Sequence, residues 1–248
     1  MYMKTDGLVL REVDYQEADR ILTVLTRDYG KLTLRARGVR KTKGTLKSAC
    51  QLLTFSEFTI SEKRGYCTIS EAEPIEMFTG LRGDLELLSL GSYFAQVAET
   101  VAMEGEPNGE LLSLTLNALY ALAKLSRPQR LVKAGFELRA ACILGYEPDL
   151  SGCAGCGEGV PARLLLREGV LLCEDCAKRE TGSIRMPVSA GVLAALRYLV
   201  SCPPERLYSF RLPEAELAAL SAITESYLLT QLERSFYTLD FYKSLHIE

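Results

Sequence analysis

The feature that most restricts this chain is a set of four cysteines, Cys153-x2-Cys156 and Cys173-x2-Cys176, with sixteen residues between the two pairs. Each Cys-x-x-Cys puts two sulfurs on one tight turn, and a separation of about 15 to 20 residues lets two such turns meet around a tetrahedral metal. Gly155 and Gly157 free the first turn, and residues 164–172, around Gly169, read as the hairpin that carries the second. Four thiolates close the coordination shell and leave no position for a reacting water. The expectation is one structural Zn2+ per chain, worth on the order of 10 kcal/mol to a segment too small to bury a core of its own. Cys50, Cys67, Cys142 and Cys202 lie on apolar stretches without paired spacing and read as small buried hydrophobes.

Metal-bound thiolates imply a reducing compartment. The opening Met1-Tyr-Met-Lys-Thr-Asp does not read as a signal peptide, and polar residues break every apolar run well short of the roughly 20 positions needed to span a bilayer. A cytoplasmic location without membrane contact is expected. The composition, 48% hydrophobic and 25% charged with 19 glycines and 9 prolines, is that of a globular protein. At 248 residues it has room for two or three small domains. The chain holds one histidine, His246, and no phosphate-cradling glycine loop of either common type, so hydrolase triads and nucleotide chemistry have little to draw on. No enzyme activity, catalytic residue or small-molecule substrate is expected.

The fold class reads as α+β. Residues 7–13, 21–26, 31–37, 52–61 and 66–72 are short, partly alternating and β-branched, and turn-forming glycines separate them. Five strands in such a length suggest a small barrel; the OB-fold and SH3-like barrels share that count. After Pro74 the period changes. Leu87, Leu90, Phe94, Val97 and Val101 form a helical stripe, and Leu112, Leu116, Leu119 and Leu122 form another beyond residues 105–109. Ser126 reads as the cap of a third helix carrying Leu131, Ala134, Leu138 and Ala141, and Ser189 as the cap of a later one carrying Val192, Leu193, Leu196 and Leu199. Leu217, Leu220, Ile223 and Tyr227 mark a last long helix. The expected domains are a barrel over 1–78, a helical domain in two parts over 79–148 and 183–248, and a ribbon insert over 149–182. Residues 236–245, apolar and aromatic, are expected to pack onto the helical bundle.

Charge is unevenly distributed. The formal net charge is −3, yet the twenty-eight residues between Asp28 and Glu57 contain no acid and carry Lys31, Arg35, Arg37, Arg40, Lys41, Lys43 and Lys47. These seven unopposed cations are the candidate DNA-binding residues, with Arg35 and Arg37 on one strand face. Tyr29, Phe55, Phe58 and Tyr66 are nearby candidates for base stacking, although core packing is the usual place for such rings. A nuclease would need a carboxylate cluster; Asp14, Glu17 and Asp19 come nearest and read as solvated surface.

Several strings together resemble the RecO family of bacterial recombination mediators: Thr5-Asp-Gly-Leu-Val-Leu-Arg, Tyr15-x-Glu17-x-Asp19-Arg-Ile-Leu, Leu25-Thr-x-x-x-Gly30-Lys, and Ala36-Arg-Gly38-Val-Arg-Lys. The string Phe136-Glu-Leu-Arg-Ala-Ala-Cys-Ile-Leu-Gly-Tyr146-Glu-Pro, running on toward Cys153, also resembles it. The resemblance implies an N-terminal OB-fold, a helical body and a zinc-ribbon insert. It implies DNA repair and recombination: binding single-stranded and duplex DNA, annealing complementary strands, and, with RecR, loading the recombinase RecA onto strands covered by single-stranded-DNA-binding protein. It further implies a helical groove that grips the acidic C-terminal tail of that last protein, for which Arg127, Arg130, Lys133 and Arg139 are the candidates. The alternative is a protein-only scaffold with a structural zinc ribbon and no DNA affinity of its own.

Overall fold

The computed structural model describes residues 2–41, 45–63 and 65–245. Lys43 and His246, singled out above, lie outside the described residues. Contacts divide the chain into two compact units, Met1–Ser126 with Phe236–Glu248, and Arg127–Ser235.

The first unit begins with β1 (Tyr2–Tyr15), β2 (Asp19–Thr26) and β3 (Gly30–Ala36), followed by α1 (Thr45–Ala49), β4 (Phe55–Lys63) and β5 (Tyr66–Glu76). They close a barrel in the order β1-β2-β3-β5-β4, with β3 and β5 parallel and the other pairs antiparallel. This is the OB-fold, which decides between the two barrels left open by strand count. Closure depends on the length of β1. Its first half, Tyr2 to Leu8, pairs with β4, its second half, Gly7 to Tyr15, pairs with β2, and a register shift between Val9 and Arg11 lets the strand turn the corner. Alternation fills the interior with Val9, Leu22, Val24, Leu34, Phe58, Ile60 and Ile69, and Ala49 and Cys50 from α1 and the residue after it join the same core.

The helices α2 (Thr79–Arg82), α3 (Leu85–Val101) and α4 (Gly109–Ala123) complete this unit together with α9 (Tyr237–Ser244). Asp84 caps α3 by accepting from the Glu86 and Leu87 N–H groups, and Asn108 caps α4 by accepting from Leu111 N–H. A break at residue 78 follows the change of period, but contacts keep these helices with the barrel. Arg11 on β1 pairs with Glu99 at 2.8 Å, and Lys31 Nζ donates to the Glu99 carbonyl near the C-terminal end of α3. The C-terminal segment also joins this unit: Phe236 meets Tyr93 edge-on at 5.7 Å, and Gln96 accepts from the Thr238 N–H and hydroxyl. The helical body expected as one bundle is therefore divided, because α3 has one apolar side for the barrel and another for α9.

The second unit contains α5 (Gln129–Ile143), α7 (Ala190–Ser201) and α8 (Glu214–Leu232), packed on one another, with a small sheet between α5 and α7 in sequence. Ser189 caps α7 as expected, its hydroxyl accepting from Val192 N–H. Ser126 does not cap α5; it sits at φ 47°, and the helix starts after Pro128, whose fixed φ suits a helix entry. The sheet, ordered β6-β8-β7-β9, is made of β6 (Asp149–Cys153), β7 (Pro161–Leu165), β8 (Val170–Cys173) and β9 (Arg185–Pro187), with α6 (Glu174–Arg179) after β8.

Candidate nucleic-acid interface and metal centre

The barrel's outward positions build a groove. In register across three neighbouring strands stand Ile21 on β2, Arg35 on β3 and Thr68 on β5, all facing away from the core that Leu22, Leu34 and Ile69 fill. Arg37, just past the end of β3, and Lys63 and Tyr66, at the β4–β5 turn, extend the same surface, and Tyr15 at the end of β1 closes one side. The result is a groove of about 670 Å3. It lies on the β2–β3 face, between the loop after β1 and the loop before β5, the place where OB-folds commonly hold oligonucleotides. Charge is partitioned around the barrel: Glu57, Glu71 and Glu73 line a separate groove around Lys4.

The basic run is unopposed in sequence but not in space. Arg35 donates to Asp19 at 2.8 and 2.6 Å and to Gln16, and lies over the Tyr15 ring at 5.2 Å. Arg40 pairs with Asp14 at 3.3 Å, and Lys41 with Glu17 at 3.6 Å. The three acids read as solvated surface thus hold the base of the cationic loop. Asp19 is pinned by the Gly38 N–H at 2.8 Å and by Arg35, which together keep its carboxyl below the usual carboxylate range. Lys31 turns toward α3 rather than to the groove. Arg37 and Lys63, both exposed, make no hydrogen bond or ion pair among the described residues, and Lys47 is exposed on α1. Of the aromatic candidates, Phe58 is wholly buried, Phe55 half-buried, and Tyr29 lies in the β2–β3 turn, while Tyr66 stands 79% exposed in the groove. Sequence reasoning missed Lys63 and Tyr15 because neither belongs to the acid-free run; strand register alone brings them in.

In the second unit, Cys153, Cys156, Cys173 and Cys176 converge, their sulfurs all within 4.8 Å of one another. Cys156 and Cys173 Sγ lie 3.9 Å apart, against about 3.8 Å along the edge of a tetrahedron with metal–sulfur bonds of about 2.3 Å. Backbone N–H groups aim at the sulfurs, Cys173 N at Cys153 Sγ (3.2 Å) and Gly159 N at Cys156 Sγ (3.3 Å). A Cβ at Gly155 would come within 2.8 Å of Cys176 Sγ, and one at Gly159 within 2.6 Å of Cys173 Sγ, so both positions are closed to any side chain. The Cys173 N–H helps hold the Cys153 thiol down at about 6, while hydrogen bonds to Cys173 and Cys153 push Cys176 up to about 12. Geometry and donor chemistry therefore fit a bound metal.

The candidate partner residues scatter. Lys133 is withdrawn into the core, 3% exposed, between Glu137 at 2.9 Å and Glu225 at 2.7 Å, so it offers nothing to a partner; an apolar stripe continued around α5 encloses it. Burial lowers its pKa, and the two carboxylates more than restore it. Arg130 pairs with Glu214, and Arg139 donates to the Cys202 carbonyl. Arg127 is half-buried.

An OB-fold barrel with a cationic, aromatic-edged groove, carried on a chain that also bears a four-cysteine ribbon, defines a class of nucleic-acid-type scaffold. The comparisons with known proteins are more specific. The family described as Recombination protein O N terminal matches residues 1–78, and Recombination protein O C terminal matches residues 82–240. A DNA repair protein RecO of Acetivibrio thermocellus is 34% identical over 98% of this chain and 97% of its own length. Another of Alkaliphilus metalliredigens is 30% identical over 99% of this chain and 100% of its own length, and one of Desulforudis audaxviator 34% over 98% and 97%. The chain belongs to the RecO family, and so to DNA repair and recombination. Among the described residues no helix is long and apolar enough to cross a membrane.

Proposed function

We propose that the protein is a cytoplasmic, non-enzymatic recombination mediator that binds single-stranded and duplex DNA in the barrel groove and anneals complementary strands. With RecR it would load RecA onto strands coated by single-stranded-DNA-binding protein, whose C-terminal tail it recognises. Family membership supports the partners. The carrying observation is the groove itself, where Arg37 and Lys63, exposed and in no hydrogen bond or ion pair among the described residues, stand on the surface by which OB-folds take oligonucleotides. Annealing needs no catalytic residue. Cations that neutralise phosphates reduce repulsion between two strands and leave most bases free to pair, and such contacts carry no sequence information. Arg35, Arg40 and Lys41, each paired with an acid of the β1–β2 hairpin, add a partly compensated field, while Lys47 adds an exposed charge on α1. Zinc is the metal that four thiolates in this geometry favour, one ion per chain, with a structural task.

The test is fluorescence anisotropy of a labelled single-stranded oligonucleotide over a salt series, native chain against Arg37→Glu/Lys63→Glu. Neither substituted side chain has a hydrogen bond or ion pair to lose among the described residues; Arg37 also interacts with the Asp19 charge, so the melting temperatures of the two proteins are compared as well. Loss of salt-dependent binding is expected; binding that survives reversal of both charges would remove DNA from the groove, and no binding by the native chain would favour the protein-only scaffold.

A further inference from the structure

We propose that Tyr66 is a base-stacking platform by which the groove prefers unpaired DNA to duplex. This inference rests on the groove being the DNA site. Tyr66 is the most exposed of the large hydrophobic side chains described in the first unit, 79% accessible, and forms no hydrogen bond, ion pair or ring contact among the described residues. A tyrosine buried for stability would hide its ring or satisfy its hydroxyl; this one does neither. Its placement is fixed by the fold. Gly65, at φ 80°, turns the chain out of β4, Lys63 and Tyr66 pair across the turn, and Cys67 and Ile69 point inward, so Tyr66 projects with Thr68 into the groove.

The surrounding charges give the ring a ligand. Arg37 and Lys63 line the same groove and supply phosphate contacts, and across it the Arg35 guanidinium already covers one face of Tyr15, leaving Tyr66 as the uncovered π-face. A strand whose phosphates follow the cations presents its bases to that ring. Every base has a π-face, so stacking tolerates any sequence, and losing one such stack weakens binding by about ten- to hundredfold. In duplex DNA each base is already stacked within the helix, whereas its phosphates remain open to Arg37 and Lys63. The ring therefore contributes to single-strand affinity alone, and the cations to both.

The chain has no tryptophan, so Tyr66→Trp places a lone indole at the site. In the full-length protein, titrated with an oligothymidylate and with a blunt duplex of equal length, its fluorescence is expected to be quenched by the single strand and not by the duplex. Tyr66→Ala is expected to weaken oligothymidylate binding about tenfold or more, with duplex affinity, salt slope and melting temperature unchanged, and Tyr66→Phe to restore it. The inference is overturned if Tyr66→Ala binds the single strand as the native chain does, if it loses both ligands equally, or if the indole is unmoved by the single strand. Should Arg37→Glu/Lys63→Glu abolish binding in that case, the groove still stands as the DNA site and only the stacking role falls. Should that variant bind normally, both fall together.

Discussion

Individual side chains show how much depends on a single charge or methyl group. The trio Lys133, Glu137 and Glu225 carries one more carboxylate than ammonium, and burial, acting against Lys133, pushes the Glu137 carboxyl above its usual range. Truncating Lys133→Met strands two carboxylates in the core and is expected to cost about 3 to 5 kcal/mol, read by denaturant unfolding. Glu137→Gln keeps the Lys133–Glu225 pair, and its one amide oxygen can accept from Lys133 while its NH2 donates to the Thr224 hydroxyl, which turns its own proton to the Ser221 carbonyl, so it is expected to melt no lower than the native chain near neutral pH. The sign follows from linkage. A carboxyl with a raised folded pKa favours the fold at low pH, and that contribution is lost as pH rises from the ordinary carboxylate range through the raised value; Glu137→Gln should remove that slope. At the metal centre, Gly159→Ala puts a Cβ 2.6 Å from Cys173 Sγ and is expected to lower metal content, measured by elemental analysis against a native chain near one equivalent. A full equivalent in the variant would contradict the packing argument. The convergence of the four cysteines was legible in the sequence because their spacing brings two tight turns together. The burial of Lys133 was not, since a lysine within an amphipathic stripe looks like surface until the glutamate of a distant helix, Glu225, is brought beside it.

At the level of elements, the ribbon sheet is built around its four-cysteine cluster. Its small core consists of Cys153, Leu165, Leu172, Cys173 and Ala177, so two of the five buried residues are cysteines of the metal cluster. Without metal this cluster keeps three buried apolar side chains and the half-buried Val170, a small core on that side of the sheet to set against chain entropy. Chelation is expected to release the amides of residues 149–187 to fast hydrogen exchange while those of α5 and α8 stay protected; unchanged protection of the sheet would contradict a structural metal. Acid should act likewise, because falling pH protonates the thiolates that the metal needs. The five strands of the barrel were legible from alternation and turn residues; their order, which separates the OB-fold from an SH3-like barrel, was not. Nor was the assignment of α9. The periodicity of residues 236–245 announces an apolar face, but it does not say which helix receives it, and Tyr93 and Gln96 on α3 are the deciding partners. The acid-free run misled in a related way, since Asp14, Glu17 and Asp19 come opposite it only through the β1–β2 hairpin and the β2–β3 pairing.

Across the whole molecule, a net charge of −3 coexists with a groove whose free charges are positive. Such a protein is not drawn to DNA by its overall field, and its affinity must come from a local surface. Local phosphate contacts have a thermodynamic signature, the release of counterions. With about four single-stranded phosphates neutralised, log K should fall with log salt at a slope near −3, since each contributes about −0.7. The measurement that tests the account most directly is that slope, taken by anisotropy with the native chain and with Arg37→Glu/Lys63→Glu at equal metal content and melting temperature. The account predicts a slope near −3 for the native chain and loss of measurable binding in the variant. Equal affinity and equal slope in the two proteins would contradict it.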